Sequence, residues 1–201
     1  MDIFKILQEE LQIGYKQVEA AVQLIDEGNT IPFIARYRKE VTGGLSDVVL
    51  RDLDERLKYL RNLEERKEEV LRLIEEQGKL TEELKAEIEK AEVLQRVEDL
   101  YKPFKQKKAT RASKAKEKGL EPLAGVITLQ MIKAPLIEEA AKYVDAEKGV
   151  TTAEEAIAGA SDIIAESISD EADYRTHIRD LTVKKGRMTS TAKDPETESV
   201  Y

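Results

Sequence analysis

The sequence predicts an all-α protein: an irregular multi-helix array around one long central helix, roughly residues 46–77, with a small non-helical C-terminal tail. Three observations predict it. Apolar residues recur at three–four spacing through most of the chain, as one face of a helix requires. Aromatics supply only 5% of the residues and Trp none, so Leu, Ile, Val and Ala carry the apolar mass; these fill helix seams, whereas β-rich domains draw more on aromatic and β-branched side chains. Gly, Pro and Ser/Thr fall between the periodic stretches, where helix caps and stops are expected.

Residues 2–11 place Ile3, Ile6, Leu7 and Leu11 on one face, and Gly14 ends that segment. Residues 15–27 follow, with Val18, Ala21, Val22 and Ile25 aligned and Gly28 as the stop. In Thr30-Ile31-Pro32, Thr is a good N-cap and Pro is tolerated in a first turn. A short helix runs on to Tyr37, with Phe33, Ile34 and Tyr37 expected to face the core, and Gly43-Gly44 breaks it. Ser46 caps the long helix, seamed by Leu50, Leu53, Leu57 and Leu60 and then by Val70, Leu71 and Ile74. Gly78 stops it, and Thr81 opens a helix over 82–90, followed by another over 93–101. Lys102-Pro103-Phe104 interrupts the pattern, because Pro lacks a donor and restricts its predecessor. Beyond it, helices are expected from about Ala109 to Gly119, over 121–132, from Pro135 to about Val144, over 153–168 behind Thr152, and over 170–185 with Ser169 as cap. One helical module, 1–185, is therefore expected, divisible into 1–101 and 104–185. The Thr/Ser-rich tail, 186–201, has room for a strand or two and reads as a cut piece leading to a missing domain.

Charge and composition narrow the function. With 41% hydrophobic and 37% charged residues, the chain is too apolar for disorder and too charged for a membrane protein. No apolar run approaches the ~18 residues of a membrane span. Met1-Asp2-Ile3-Phe4-Lys5 shows no basic region followed by an apolar stretch, so no secretory signal is expected, and there is no Cys, so a reducing cytoplasm is the expected location. Enzymatic constellations fail in turn. His177 is the single His, so neither a two-His zinc site nor a di-iron carboxylate site can be assembled. Gly43-Gly44 lacks the Lys-Ser or Lys-Thr of a phosphate loop. No catalytic residue, metal or cofactor is expected.

The net charge is −8, which opposes sequence-independent nucleic-acid binding overall, but it is unevenly spread. Residues 61–99 hold 13 acidic and 8 basic side chains, whereas 102–118 hold eight Lys or Arg against Glu117 alone. In the second stretch Lys105, Lys107, Lys108, Arg111 and Lys114 are dense enough to hold phosphates, with Tyr101 and Phe104 at its edge as stacking groups. The alternative is an intramolecular arm lying against the acidic long helix. The other stretch of interest is Thr30 to Glu40. There Arg36, Arg38 and Lys39 belong either to a core-anchoring helix with solvated charges or to a site for an anion or an acidic partner. A coiled-coil dimer through Leu50, Leu53, Leu57 and Leu60 is a third reading, against which Glu64 and Lys67 interrupt the seam.

Both stretches carry a resemblance. Thr30-Ile31-Pro32-Phe33-Ile34-Ala35-Arg36-Tyr37-Arg38-Lys39-Glu40 with Thr42-Gly43-Gly44-Leu45 resembles the signature near the start of the bacterial Tex proteins, the transcription accessory proteins. Asp99-Leu100-Tyr101-Lys102-Pro103-Phe104-Lys105, then Thr110-Arg111-Ala112, then Glu117-Lys118-Gly119-Leu120-Glu121-Pro122-Leu123-Ala124 is similar to a second hallmark of that family. The resemblance runs in order along the whole chain. It implies a non-catalytic helical scaffold followed by an RNase H-like domain not thought to be an active nuclease, a helix-hairpin-helix region and an RNA-binding OB-fold barrel, none of which lies within these residues. It also implies kinship with the core of a eukaryotic elongation factor that chaperones histones. The implied partners are RNA, mainly through those other domains, and the transcription machinery. Arg36, Arg38, Lys39, Lys105, Lys107, Lys108 and Arg111 stand at motif positions. The alternative function is a protein–protein scaffold with no nucleic-acid contact of its own.

Overall fold

A computed structural model describes residues 2–105, 109–130, 132 and 134–192. Among them are eleven α-helices and no strand, beyond one isolated bridge between Asp145 and Val150. The chain divides into two compact units, Met1–Tyr101 and Lys102–Tyr201.

The first unit is built on its longest helix. It contains α1 (Ile3–Leu11), α2 (Tyr15–Asp26), α3 (Ile31–Tyr37), α4 (Asp47–Glu76), α5 (Glu82–Lys90) and α6 (Leu94–Tyr101). Side-chain caps open three of the six helices: Asp2 accepts from Lys5 N, Ser46 from Val49 N and Thr81 from Leu84 N, each relieving an otherwise orphaned donor. Thr30 precedes α3 as expected, but its side chain makes no capping bond, and Pro32 occupies the first turn. The α1 stop lies earlier than Gly14. Gln12 takes the left-handed conformation at φ 53°, and Gly14 instead begins α2.

The 30 residues of α4 extend ~45 Å. Leu50, Leu53, Leu57 and Leu60 are each at most 1% exposed, in a core shared with Leu7 of α1, Val18, Ala21, Val22 and Leu24 of α2, and Ile34 of α3. That seam is consumed inside the unit, so it cannot serve a coiled-coil dimer. Further along, Leu63, Val70 and Ile74 are buried where α5 and α6 pack on α4. Lys67 falls on the same buried face. Its Nζ donates to the Glu89 carbonyl at 2.9 Å and pairs with Glu64 at 2.9 Å, so the charge is compensated in place.

The expected inward trio of α3 divides. Ile34 is fully buried, Phe33 is half-buried, and Tyr37 is 60% exposed. With seven residues, α3 makes about two turns, and one row, Ile31, Ile34 and Ala35, reaches the core. Phe33 and Tyr37, four apart, pair with each other instead, their ring centroids 5.3 Å apart.

The second unit is organised by α10 (Ala153–Asp170), against which α7 (Arg111–Glu117), α8 (Glu121–Thr128), α9 (Leu136–Ala141) and α11 (Ala172–Lys185) pack. A 3-10 turn, Lys102–Phe104, marks the predicted break at Pro103. Small residues bring the helices close. Ala112, Ala115, Ala156 and Ala160 are buried with Leu120, Leu123 and Ile163, and a Cβ at Gly159 would overlap Leu120 Cδ1. Several boundaries differ from expectation. Thr110 caps α7 in a reciprocal box with Ser113, so the helix starts at Arg111 rather than Ala109. The next helix ends at Thr128 rather than 132, where Gln130 turns left-handed at φ 53°. Ser169 is not a cap: α10 continues to Asp170, and Ser169 instead offers its carbonyl to Lys102 Nζ and Arg175 Nη1. The bend comes at Glu171, whose ψ of 117° leaves the helical region. Residues 186–192 hold no regular structure; the rest of the tail, with any strand expected there, lies outside the described residues.

Candidate nucleic-acid interface

All of the excess negative charge lies in the first unit: residues 1–101 carry 24 acidic and 16 basic side chains, and residues 102–201 carry 17 of each. A polyanion approaching the second unit therefore meets no net repulsion from it.

In that unit the expected basic segment begins in the 3-10 turn and ends in α7. Lys105 is exposed just after the turn, and Lys107 and Lys108 lie outside the described residues. Arg111 and Lys114 are exposed on α7. Helical geometry then adds a residue that attention to local density passes over. Lys118 follows Lys114 by four, so Arg111, Lys114 and Lys118 share one face. All three line a cleft of about 300 Å³ against Ala158, Gly159 and Asp162 of α10. The i, i+3, i+7 spacing is legible in the sequence and would have found it.

Counter-charges come from α10. Arg111 Nη2 lies 3.3 Å from Asp162, and Lys102 Nζ lies 3.6 Å from Asp170. A second cleft, of about 480 Å³, sets Lys102, Lys105 and Arg111 opposite Asp162, Glu166 and Asp170. Arg111 nevertheless keeps its side chain 86% exposed, and neither Lys105 nor Lys114 pairs with a carboxylate among the described residues. Lys118 Nζ donates to the Gly149 carbonyl at 2.7 Å. The nearby Glu155 carboxyl is held below its ordinary pKa chiefly by the Thr151 backbone N–H and hydroxyl, with Lys118 adding a smaller attraction. Tyr101 is no stacking group: it is 9% exposed, in the first unit, beneath the Arg66 guanidinium at 5.4 Å.

The remaining candidates, Arg36, Arg38 and Lys39, are exposed at the end of α3 in the first unit. Below them the turn is closed by its own backbone. Thr42, fully buried, donates its N–H to the Arg38 carbonyl at 3.1 Å and its hydroxyl to the same oxygen at 3.2 Å, while Gly44 N reaches Lys39 O at 2.7 Å. His177 is exposed on α11. Among the described residues no group of His, Asp or Glu is placed to hold a metal ion, and no helix is long and apolar enough to cross a membrane.

Comparisons with known proteins agree with these motifs. The sequence model of the Tex-like protein N-terminal domain matches residues 1–75, and that of the Tex central region matches residues 133–200. The chain is 45% identical over 199 residues to the transcriptional accessory protein Tex of Neisseria gonorrhoeae, covering 98% of this chain and 26% of that protein. Against the protein Tex of Bordetella pertussis it is 50% identical over 187 residues, 92% of this chain and 24% of the relative. A more distant relative, the human S1 RNA-binding domain-containing protein 1, is 28% identical over 186 residues, 92% of this chain and 18% of that protein. The chain thus spans about a quarter of the length of its bacterial relatives. With both hallmark stretches in place and two family models matched in order, the chain belongs to the Tex family of transcription accessory proteins.

Proposed function

We propose that the chain is a non-catalytic helical scaffold of a cytoplasmic transcription accessory protein, and that its second unit gives RNA a weak, sequence-independent phosphate contact. The observation that carries this reading is the cation row of α7 and its C-cap, Arg111, Lys114 and Lys118, lining one exposed cleft in a unit of no net charge. Lys105 extends the row toward the 3-10 turn, and Lys107 and Lys108 add charge in the same stretch of sequence. Phosphate contacts of this kind position a strand without reading its bases. The names of the relatives point the same way, one to transcription and a distant one to RNA.

The second reading is a protein–protein scaffold in which the basic stretch is an internal strut. The Arg111–Asp162 and Lys102–Asp170 pairs favour it, since they direct two of the cations toward α10.

The deciding experiment is salt-dependent binding of single-stranded RNA to this chain, followed by fluorescence anisotropy. Charge reversal of Lys105, Lys107, Lys108 and Arg111 together is expected to abolish binding and flatten the salt slope. Helicity by circular dichroism is expected to stay unchanged. Undiminished binding removes the basic stretch as the contact; an unfolded variant makes it the strut.

A further inference from the structure

We infer that the end of α3 and the turn after it form a docking knob for an acidic peptide segment of a partner protein, one carrying an apolar anchor among its carboxylates. The knob consists of Arg36, Tyr37, Arg38, Lys39 and Val41.

The first ground is a contrast in pairing. All seven basic side chains of α4, from Arg51 to Arg72, lie within 4.0 Å of a carboxylate. Arg36, Arg38 and Lys39, three cations within four residues, have no such partner among the described residues, although their unit holds 24 acidic side chains. A surplus of acids that neutralises α4 throughout leaves this cluster open.

The second ground is what surrounds the charges. Tyr37 is 60% exposed and Val41 57% exposed. The Arg38 guanidinium sits 5.2 Å from the centre of the Phe33 ring, and Phe33 in turn supports Tyr37. Exposed Tyr and Arg are among the residue types that dominate protein interfaces, and Val41 adds exposed apolar area beside them. Arg38 is already oriented, by its ring contact and by a bond from Nη1 to the Tyr37 carbonyl at 3.3 Å.

The third ground is rigidity. Thr42 closes the turn from inside, and the Gln17 side chain of α2 holds the Thr42 and Gly43 carbonyls at 3.3 and 3.0 Å. A preformed surface loses little entropy on binding. Charge also selects the class of partner. A nucleic-acid strand runs beyond four residues and onto a unit with eight more acids than bases, where its phosphates are repelled. A short peptide needs complementarity only at the knob.

The test uses the 201-residue chain and a short fluorescein-labelled peptide of alternating Glu-Glu and Leu-Phe pairs, with fluorescence anisotropy as readout. A Gln-for-Glu peptide and a labelled oligouridylate serve as comparison probes. The parent is expected to bind the acidic peptide measurably and the Gln peptide not. Arg36→Glu with Lys39→Glu, and separately Tyr37→Ala, are each expected to weaken binding ~10-fold or more, or about 1.4 kcal/mol. The milder Arg36→Gln with Lys39→Gln is expected to lie between, with helicity unchanged in all. Lys114→Glu is expected to leave peptide binding intact, so failure of the α7 contact and failure of this knob read differently. Absence of peptide binding by the parent, equal binding of the Gln peptide, or unchanged binding by the folded charge-reversed variant overturns the proposal. Loss of oligouridylate rather than peptide binding in that variant overturns it in favour of RNA.

Discussion

Gln17 and Gly43 are locked together. The Gln17 amide donates to the Gly43 carbonyl at 3.0 Å while its Oε1 accepts from Gly14 N at 2.9 Å, so one side chain ties the start of α2 to the turn after α3. Gly43 sits at φ +63°, and a Cβ there would stand 2.9 Å from Gln17 Nε2. Gly43→Ala therefore meets backbone strain and crowding at once, and a loss of ~1–3 kcal/mol is expected. Gln17→Ala is expected to cost less, ~1 kcal/mol, because it removes hydrogen bonds without adding a clash. Urea unfolding midpoints check both, and equal losses would show that the clash contributes nothing.

The two sides of α3 are expected to respond differently. Ile34→Ala empties a fully buried site and should cost ~2–5 kcal/mol. Tyr37→Ala, at a site 60% exposed, should stay within ~0.5 kcal/mol. Thermal and urea denaturation of the two variants distinguish them.

Lys67→Met leaves Glu64 without one of its partners and the Glu89 carbonyl without its donor. A loss of ~1.5–3 kcal/mol is expected. A variant as stable as the parent would show that the buried ammonium is merely tolerated, as some replaceable buried ion pairs are.

Gly159→Ala in α10 places a methyl against Leu120 and 3.3 Å from Ala115 Cβ. The expected cost is ~1–3 kcal/mol of overpacking. Leu120→Ala is expected to be destabilising alone yet to reduce the penalty of Gly159→Ala when the two are combined, a positive coupling measurable in a double-mutant cycle.

Acid should weaken the first unit through two ion pairs. Arg56 grips Glu10 through Nε and Nη2 at 2.6 and 2.7 Å, and Arg61 grips Asp26 at 2.7 and 2.8 Å. These hydrogen bonds hold both carboxyls below their ordinary pKa values. A depressed folded-state pKa means stability that is present above the unfolded pKa, about 4, and lost as pH falls through the folded value. Both pairs are solvent-exposed, so each is worth only ~0.2–1 kcal/mol. Arg56→Gln with Arg61→Gln is expected to flatten the decline in stability below about pH 5, and an unchanged acid limb would remove these pairs as its source.

Local features carried much of the fold into view. Ser46, the Leu seam and Gly78 bracket α4 to within a residue, because a strong cap, a long period and a stop agree over many turns. Short helices were less legible. Ser169 reads as a cap by residue type, yet the bend is displaced to Glu171, and Ser169 meets Lys102 and Arg175. Such bonds depend on neighbours that local spacing does not specify. Likewise the density of cations from Lys102 to Lys118 is evident in the string, but the opposing acids of α10 lie more than forty residues further on and enter only through packing.

The sequence by itself determined the helical class, the main helix positions, the concentration of positive charge in 102–118 and the family, because periodicity, caps, charge counts and motifs are local or linear properties. Tertiary structure alone decided which charges are spent. Among the described residues Arg36, Arg38 and Lys39 have no carboxylate partner while α4's bases are paired, Lys67 is buried with partners, and Arg111 meets Asp162. It also decided which face of a two-turn helix goes inward, leaving Ile34 covered and Tyr37 in solvent. The physical reason is common to both outcomes: pairing and burial depend on what other helices bring within a few ångströms, and a helical period specifies a face without specifying its neighbour.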